Sequence, residues 1–270
     1  MIPAPFDYIA ADSPQHAVEL LERHADDDPK LLAGGHSLLP MMKLRLATPT
    51  VLIDIGRLSE LRGIRGEGNE IVIGAATPHA VLAASDLVRA EAPLLAHSAA
   101  QVGDPQIRHR GTIGGSLAHA DPAADLPMAL LALGGSVDVL GSDGSRSIAA
   151  DDFFTGFFET SLEPGELIAS VRIPRSPGAA WGYQKFVRRA NDWAIVGAAA
   201  IGGRIALANM GPTPLRARAA ERALAEGTSA AKAAELAAEG TEPGDDVHAD
   251  REYRRHLARV LVGRALENHT

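Results

Sequence analysis

The sequence predicts an α+β protein of three lobes, residues 1–55, 56–175 and 176–270. Three observations carry that expectation. In the first lobe two strand-like runs, 31–33 and 51–55, flank a helical stretch, a β-α-β layout. In the second, strand-like pairs are joined by short glycine-containing loops of the hairpin type. In the third, strand-like runs come first and alanine-rich helices follow.

Taken in order, Ser13 as N-cap and Pro14 at the first helical position open a helix over 14–24, with Ala17, Val18, Leu20 and Leu21 at helical spacing. The run 31–33 ends at Gly34-Gly35, and 37–46 is helical through Leu38, Leu39, Met42 and Leu46. The β-branched run 51–55 closes the lobe. Ile64 and 71–73 flank a hairpin loop at 65–69. Pro78 and Pro93 each open a helix, 111–115 reads as a glycine loop, and 126–133 is an apolar helix. Residues 136–140 and 145–149 pair around 141–144, and 167–173 is a strand ending at Pro174. Beyond it, 183–187, 195–201 and 204–208 read as antiparallel strands, the last two joined by Gly202-Gly203. Helices are expected over 215–226, 229–238 and 249–268.

A chain of 270 residues with 46% hydrophobic and 22% charged positions is neither disordered nor fibrous. Its net charge of −8 argues against nucleic acid or an anionic membrane as main partner, yet allows a local basic pocket for a phosphorylated cofactor. With no cysteine there is no disulfide, iron–sulfur cluster, cysteine-ligated zinc or thiol nucleophile. The opening residues lack a basic and apolar leader, and 126–133 and 193–201 are too short to span a bilayer, so a soluble, cytoplasmic protein is expected.

Four constellations bear chemistry. Leu32-Ala33-Gly34-Gly35-His36-Ser37-Leu38-Leu39 runs from strand through a glycine turn into a helix, a place where free N–H groups meet an anion. The bland alternative is an ordinary strand-to-helix turn, and neither the Rossmann nor the P-loop pattern applies. Arg108-His109-Arg110-Gly111-Thr112-Ile113-Gly114-Gly115-Ser116 repeats the theme, with a possible anion-binding nest of successive N–H groups. Two such loops in an acidic chain point to a dinucleotide-sized anion. His119-Ala120-Asp121 with Asp125 has the residue types of a metal site, but Pro122 imposes a turn and Asp125 suits the N-cap of the following helix. Tyr183-Gln184-Lys185 places a lysine on a strand, facing either a ligand or solvent, and Trp193 suits ring stacking or core packing equally. No G-x-S-x-G elbow supports a nucleophilic serine.

Residues 33–40 and 112–122 closely resemble the two flavin motifs of the FAD-binding medium subunits of molybdenum hydroxylases, the carbon monoxide and xanthine dehydrogenase type. The resemblance covers essentially the whole chain. It implies a vanillyl-alcohol-oxidase-type (PCMH-like) fold, in which two α+β lobes hold an extended FAD. A C-terminal three-stranded antiparallel sheet with helices completes it. It assigns Leu32, Ala33, Gly34, Gly35, His36, Ser37, Leu38 and Leu39 to the FAD diphosphate, and Thr112, Ile113, Gly114, Gly115 and Ser116 to its contact from the second lobe. Asp125, Val102, Ile168 and Lys185 match further flavin contacts.

Trp193 departs from the pattern. Asp192-Trp193 falls where relatives often carry Asp-Tyr, in a loop over the flavin ring, which bears on access for the electron acceptor. By the same resemblance the molybdenum cofactor and the [2Fe–2S] clusters belong to a large and a small partner subunit, in a dimer of heterotrimers. Electrons pass from the clusters to FAD here and on to NAD, quinone or another acceptor. A free-standing FAD oxidoreductase is the alternative reading. A side chain at Gly114 is expected to obstruct the diphosphate and remove FAD from a folded chain.

Overall fold

A computed structural model describes residues 2–267. The first lobe comprises strand β1 (Asp7–Ala10), helix α1 (Pro14–Arg23), β2 (Pro29–Leu32), α2 (Leu38–Leu44) and β3 (Val51–Asp54). Its sheet is parallel in the order β1-β3-β2. The capping expectation at α1 holds, since Ser13 accepts the His16 N–H and Pro14 needs no donor partner. Strand β1 adds to the expected β-α-β. Its pairing is to β3, remote in sequence, so no local turn announces it.

The middle lobe is a five-stranded sheet in the order β4-β5-β10-β6-β7, with helices packed on it. The strands are β4 (Ile64–Glu67), β5 (Glu70–Gly74), β6 (Ser136–Gly141), β7 (Gly144–Ala149) and β10 (Leu167–Pro174); β8 (Phe154–Gly156) and β9 (Glu159–Thr160) form a small hairpin. Between β5 and β6 come α3 (His79–Ala84), α4 (Asp86–Glu91), α5 (Pro93–Gln101), α6 (Pro105–Arg110), α7 (Ile113–His119) and α8 (Asp125–Leu133); α9 (Ala150–Phe153) follows β7. All nine residues of α8 are buried, as its unbroken apolar run demands.

The last lobe is β11 (Trp181–Phe186), β12 (Val196–Ile201), β13 (Arg204–Ala208) and β14 (Leu215–Arg216), then α10 (Arg218–Ala225), α11 (Ala230–Glu235) and α12 (Arg251–Glu267). The three expected strands are joined by a short fourth, β14, where the sequence suggested that a helix had begun. The expected end of the terminal helix, Asn268, lies outside the described residues. Strand β12 is buried along its whole length because it is covered on both faces. Ala199 and Ile201 join the core with α8, while Ala198 and Ala200 join the core with α12, the period-two alternation of a strand. Small residues let the helices come close. A Cβ on Gly182 would lie 1.9 Å from the Ala265 carbonyl oxygen of α12.

Candidate functional site

The first glycine motif lies where β2 ends and α2 begins, and its backbone is open. Gly35 is left-handed at φ +77°, which redirects the chain between strand and helix. Among the described residues, the main-chain N–H groups of Gly34, Gly35, His36, Ser37 and Leu38 meet no protein acceptor. Ser37 precedes the helix without capping it. Five successive donors with no internal partner form a cradle for an anion, because an unpaired N–H carries a partial positive charge and seeks an acceptor. The turn is backed from two sides. A Cβ on Gly34 would lie 2.2 Å from the Arg110 carbonyl oxygen, and one on Gly56 would lie 2.9 Å from that of Ala33. First and middle lobes therefore close on each other at Gly34.

The second motif is built differently, and two sequence expectations need correction. Residues 113–115 are not a loop but the first turn of α7, and their N–H groups do not form a nest. The Ile113 N–H donates to Thr77, that of Gly114 to the Ala75 carbonyl at 2.8 Å, and that of Ser116 to Thr112. The Gly115 N–H is capped by the Thr112 hydroxyl at 3.1 Å. Gly114 is buried, and a Cβ on it would lie 2.6 Å from the Ala75 side chain and 2.8 Å from its carbonyl oxygen. The glycine thus lets α7 pack on the end of β5, and a side chain there strikes the protein first. What the motif can still turn outward is the exposed backbone at Gly115 and the half-buried Ser116 hydroxyl.

His79, at the first position of α3, lies beneath this motif. A Cβ on Gly111 would lie 2.9 Å from its imidazole Nε2, and among the described residues its buried Nδ1 has no partner. Burial, with the His36 and Arg108 charges nearby, pushes its pKa down to about 4. Nothing in the residues around it announces this burial, since the sequence shows only a histidine after Pro78.

Asp125 and Lys185 are brought together across the middle and last lobes. Asp125 does not cap α8, whose N-cap is Ala124. Its carboxylate instead reaches β11, where Lys185 Nζ donates to Oδ2 at 3.0 Å and the Tyr183 hydroxyl donates to Oδ1. Lys185 also donates to the Gln101 carbonyl at 3.3 Å. Both charges are almost fully buried, so each depends on the other. Burial, and then the Asp125 charge, drive the Tyr183 hydroxyl well above the ordinary phenol range. His97 lies against both Tyr183 and Trp181, and burial pushes its pKa down. Tyr183 was legible as a companion of Lys185, because residues two apart on a strand share a face.

The remaining expected residues scatter. The Val102 carbonyl accepts from Arg108 at 3.0 Å. The Ile168 side chain is buried in the middle-lobe core, next to a bulge in β10. Trp193, 57% exposed, sits between β11 and β12 on an open cavity of about 420 Å³ that Arg188, Arg189, His248 and Arg254 also line. The His119 ring lies against that of Phe158 at a tilt of 48°, and Asp121 accepts the Ala123 N–H. Among the described residues no group of three His, Asp or Glu is placed to hold a metal, and no helix is long and apolar enough to cross a membrane.

Two α+β lobes meeting at a donor-lined glycine turn, with an antiparallel sheet and helices behind them, define a flavoprotein of the PCMH-like class. Residues 4–176 match the family "FAD binding domain in molybdopterin dehydrogenase", and 181–269 match "CO dehydrogenase flavoprotein C-terminal domain". The chain belongs to this family, the FAD-binding subunits of molybdenum-containing dehydrogenases. It is 43% identical to the carbon monoxide dehydrogenase medium chain of Hydrogenophaga pseudoflava, over 98% of this chain and 97% of that one. It is 41% identical to the 6-hydroxypseudooxynicotine dehydrogenase complex subunit alpha of Paenarthrobacter nicotinovorans, over 98% and 95%. The structure of carbon monoxide dehydrogenase from Hydrogenophaga pseudoflava superposes with a TM-score of 0.95 at 45% identity, covering 100% of this chain and 98% of that chain.

Proposed function

We propose that this chain is the electron-transfer subunit of a molybdenum hydroxylase working in the cytoplasm. It receives electrons from [2Fe–2S] clusters on a small subunit and passes them to NAD, a quinone or another acceptor, while substrate oxidation takes place on a large molybdenum subunit. The observation that carries the reading is the run of five N–H groups at residues 34–38 without a partner among the described residues, in a domain of an FAD-binding family. FAD, when bound, supplies two-electron redox chemistry that one-electron carriers can also enter.

The chain's own residues bind and orient. The 34–38 turn, within the stretch from Leu32 to Leu39, would take the diphosphate, with the exposed Gly115 backbone and the Ser116 hydroxyl closing on the cofactor from α7 and Thr112, Ile113 and Gly114 holding that helix in place. Val102 and the Ile168 main chain beside the β10 bulge would line the cofactor, and Trp193 would cover the ring side. Asp125, held by Tyr183 and Lys185, presents a carboxylate whose direction is fixed before any ligand arrives. The absence of cysteine supports clusters on another chain. Relatives of nearly equal identity bear the names of dehydrogenases for carbon monoxide and for 6-hydroxypseudooxynicotine, which supports placing substrate choice outside this subunit.

The visible spectrum of the purified chain, before and after adding FAD, tests the reading, with released cofactor identified by chromatography. One FAD per chain is expected. A folded chain that takes up no FAD, alone or copurified with its complex, would overturn it.

A further inference from the structure

A negative side chain beside an anion cradle calls for a reason. Asp54 ends β3 opposite Leu32, the last residue of β2, so the two chains leave the parallel sheet side by side. The Ile55 N–H still donates to the Leu32 carbonyl at 3.0 Å. Beyond that bond β2 runs into the 34–38 turn, and β3 runs into a turn of its own at Gly56-Arg57. Neither oxygen of the Asp54 carboxylate is left over. Its Oδ1 accepts the Gly56 N–H at 2.8 Å, and its Oδ2 accepts the Tyr8 hydroxyl at 2.5 Å. The first bond is of the Asx-turn type, in which a side chain folds the backbone two residues on. The Arg62 guanidinium donates to the Gly56 carbonyl, and the Leu58 N–H returns to the Ile55 carbonyl at 3.2 Å.

Held in this way, Gly56 lies against Ala33. A Cβ on Gly56 would come within 2.9 Å of the Ala33 carbonyl oxygen, which among the described residues receives no main-chain donor. The contact is one of close approach, and a side chain at 56 would disturb it. That carbonyl belongs to the same peptide unit as the Gly34 N–H, the first of the five donors. A trans peptide is planar, so its carbonyl and its N–H point in opposite directions and turn together. On the far side of the unit, the Arg110 carbonyl oxygen stands 2.2 Å from where a Gly34 Cβ would be. Gly56 thus bounds the rotation of the 33–34 peptide at its carbonyl end, and Arg110 bounds it at the Gly34 Cα.

We propose that Asp54 is a positioning residue for the cofactor. Acting through the Gly56 turn, it sets the direction in which the Gly34 N–H meets the diphosphate, and it does so as a hydrogen-bond acceptor and not as a charge. This role rests on the assignment of the diphosphate to the 34–38 turn under the function proposed above. A carboxylate charge near a diphosphate opposes its binding, so the acid is retained here for its geometry. Asparagine separates the two properties. It keeps an oxygen for the Gly56 N–H and drops the charge, and its amide faces the Tyr8 hydroxyl, which can accept as well as donate.

The test is titration of the full chain with FAD, followed by flavin fluorescence, with Tm measured separately on each variant. Asp54→Ala, which removes the acceptor, is expected to raise the FAD dissociation constant about tenfold. Gly56→Ala leaves Asp54 in place but pushes a Cβ at the Ala33 carbonyl, and a loss of about the same size is expected. It keeps the test open should Asp54→Ala fail to fold. Asp54→Asn is expected to bind FAD within about twofold of the parent, or more tightly. Parent-like affinity in either alanine variant, with or without a lower Tm, would overturn the positioning role and leave the cofactor assignment intact. So would an asparagine variant as weak as the alanine one, which would make the charge the active property. A parent chain that binds no FAD would overturn both.

Discussion

The two glycine motifs look alike in sequence, yet their backbones do opposite work. In Gly34-Gly35-His36-Ser37 the amide donors meet no acceptor among the described residues, in a turn whose Gly35 is left-handed. In Gly114-Gly115-Ser116 every donor is used, two of them by the residue that starts the helix, and Gly114 exists for the sake of Ala75. One motif has the open backbone that the proposed cofactor socket needs, and the other is a joint. A glycine pair therefore says only that two backbones or a backbone and a ligand come close. Where the N–H groups go decides which.

The largest expected effect would break this comparison if it went the other way. Gly114→Val drives a branched side chain into Ala75, and overpacking of that kind costs about 3 kcal/mol. A melting-temperature drop of roughly 6–12 °C is expected, with FAD retained by whatever remains folded. A variant that melts like the parent and has lost FAD would make the second motif the socket after all.

The next effect is one of pH. Buried under Gly111, the His79 imidazole stays neutral down to about pH 4. The unfolded chain takes that proton below about pH 6.5. Across this window the unfolded state binds more protons, so stability drains as the pH falls and is restored as it rises. The loss attributable to His79 is about 2 kcal/mol between pH 7 and 5. His79→Gln, compared with the parent by denaturant unfolding at both values, is expected to remove that part of the slope. An unchanged slope would mean that the imidazole beneath the joint is protonated in the folded chain.

Much of this architecture was legible locally, and the failures share a cause. The helix starts at Pro14 and Pro93, the hairpins and the Gly202-Gly203 turn are written in residues that act on their neighbours. Even α6 was available, since Asp104 caps it and Pro105 follows. Strands β1 and β14 were not, because each is defined by a partner strand rather than by its own residues. The site divides the same way. The first glycine turn could be read as an open backbone, but the pairing of Asp125 with Lys185 spans 60 positions, and neither residue predicts the other. The burial of His79 and the spent donors of α7 likewise depend on residues brought in by the fold.

A smaller perturbation sharpens the socket. Gly35→Ala places a Cβ 2.8 Å from the flexible Leu39 side chain, which can yield, but the left-handed backbone costs an alanine roughly 1–2 kcal/mol. Relaxation of the turn would disperse the five donors. An increase of about tenfold in the FAD dissociation constant, near 1.4 kcal/mol, is expected by titration with flavin fluorescence. Unaltered affinity would show that the cradle does not depend on the left-handed residue.

The smallest effect separates support from contact at the joint. Thr112→Ala removes the side-chain oxygen that receives the Gly115 N–H, and loss of such a cap costs about 1 kcal/mol. If α7 only scaffolds, the melting temperature falls by roughly 2–4 °C while FAD affinity is unchanged. Thr112→Ser, which keeps the hydroxyl, should recover the stability. If affinity falls along with stability, and serine restores both, then the hydroxyl caps the helix through one lone pair and serves the cofactor with its proton. The joint would then share in the work of the socket through a side chain, its backbone amides being already spent.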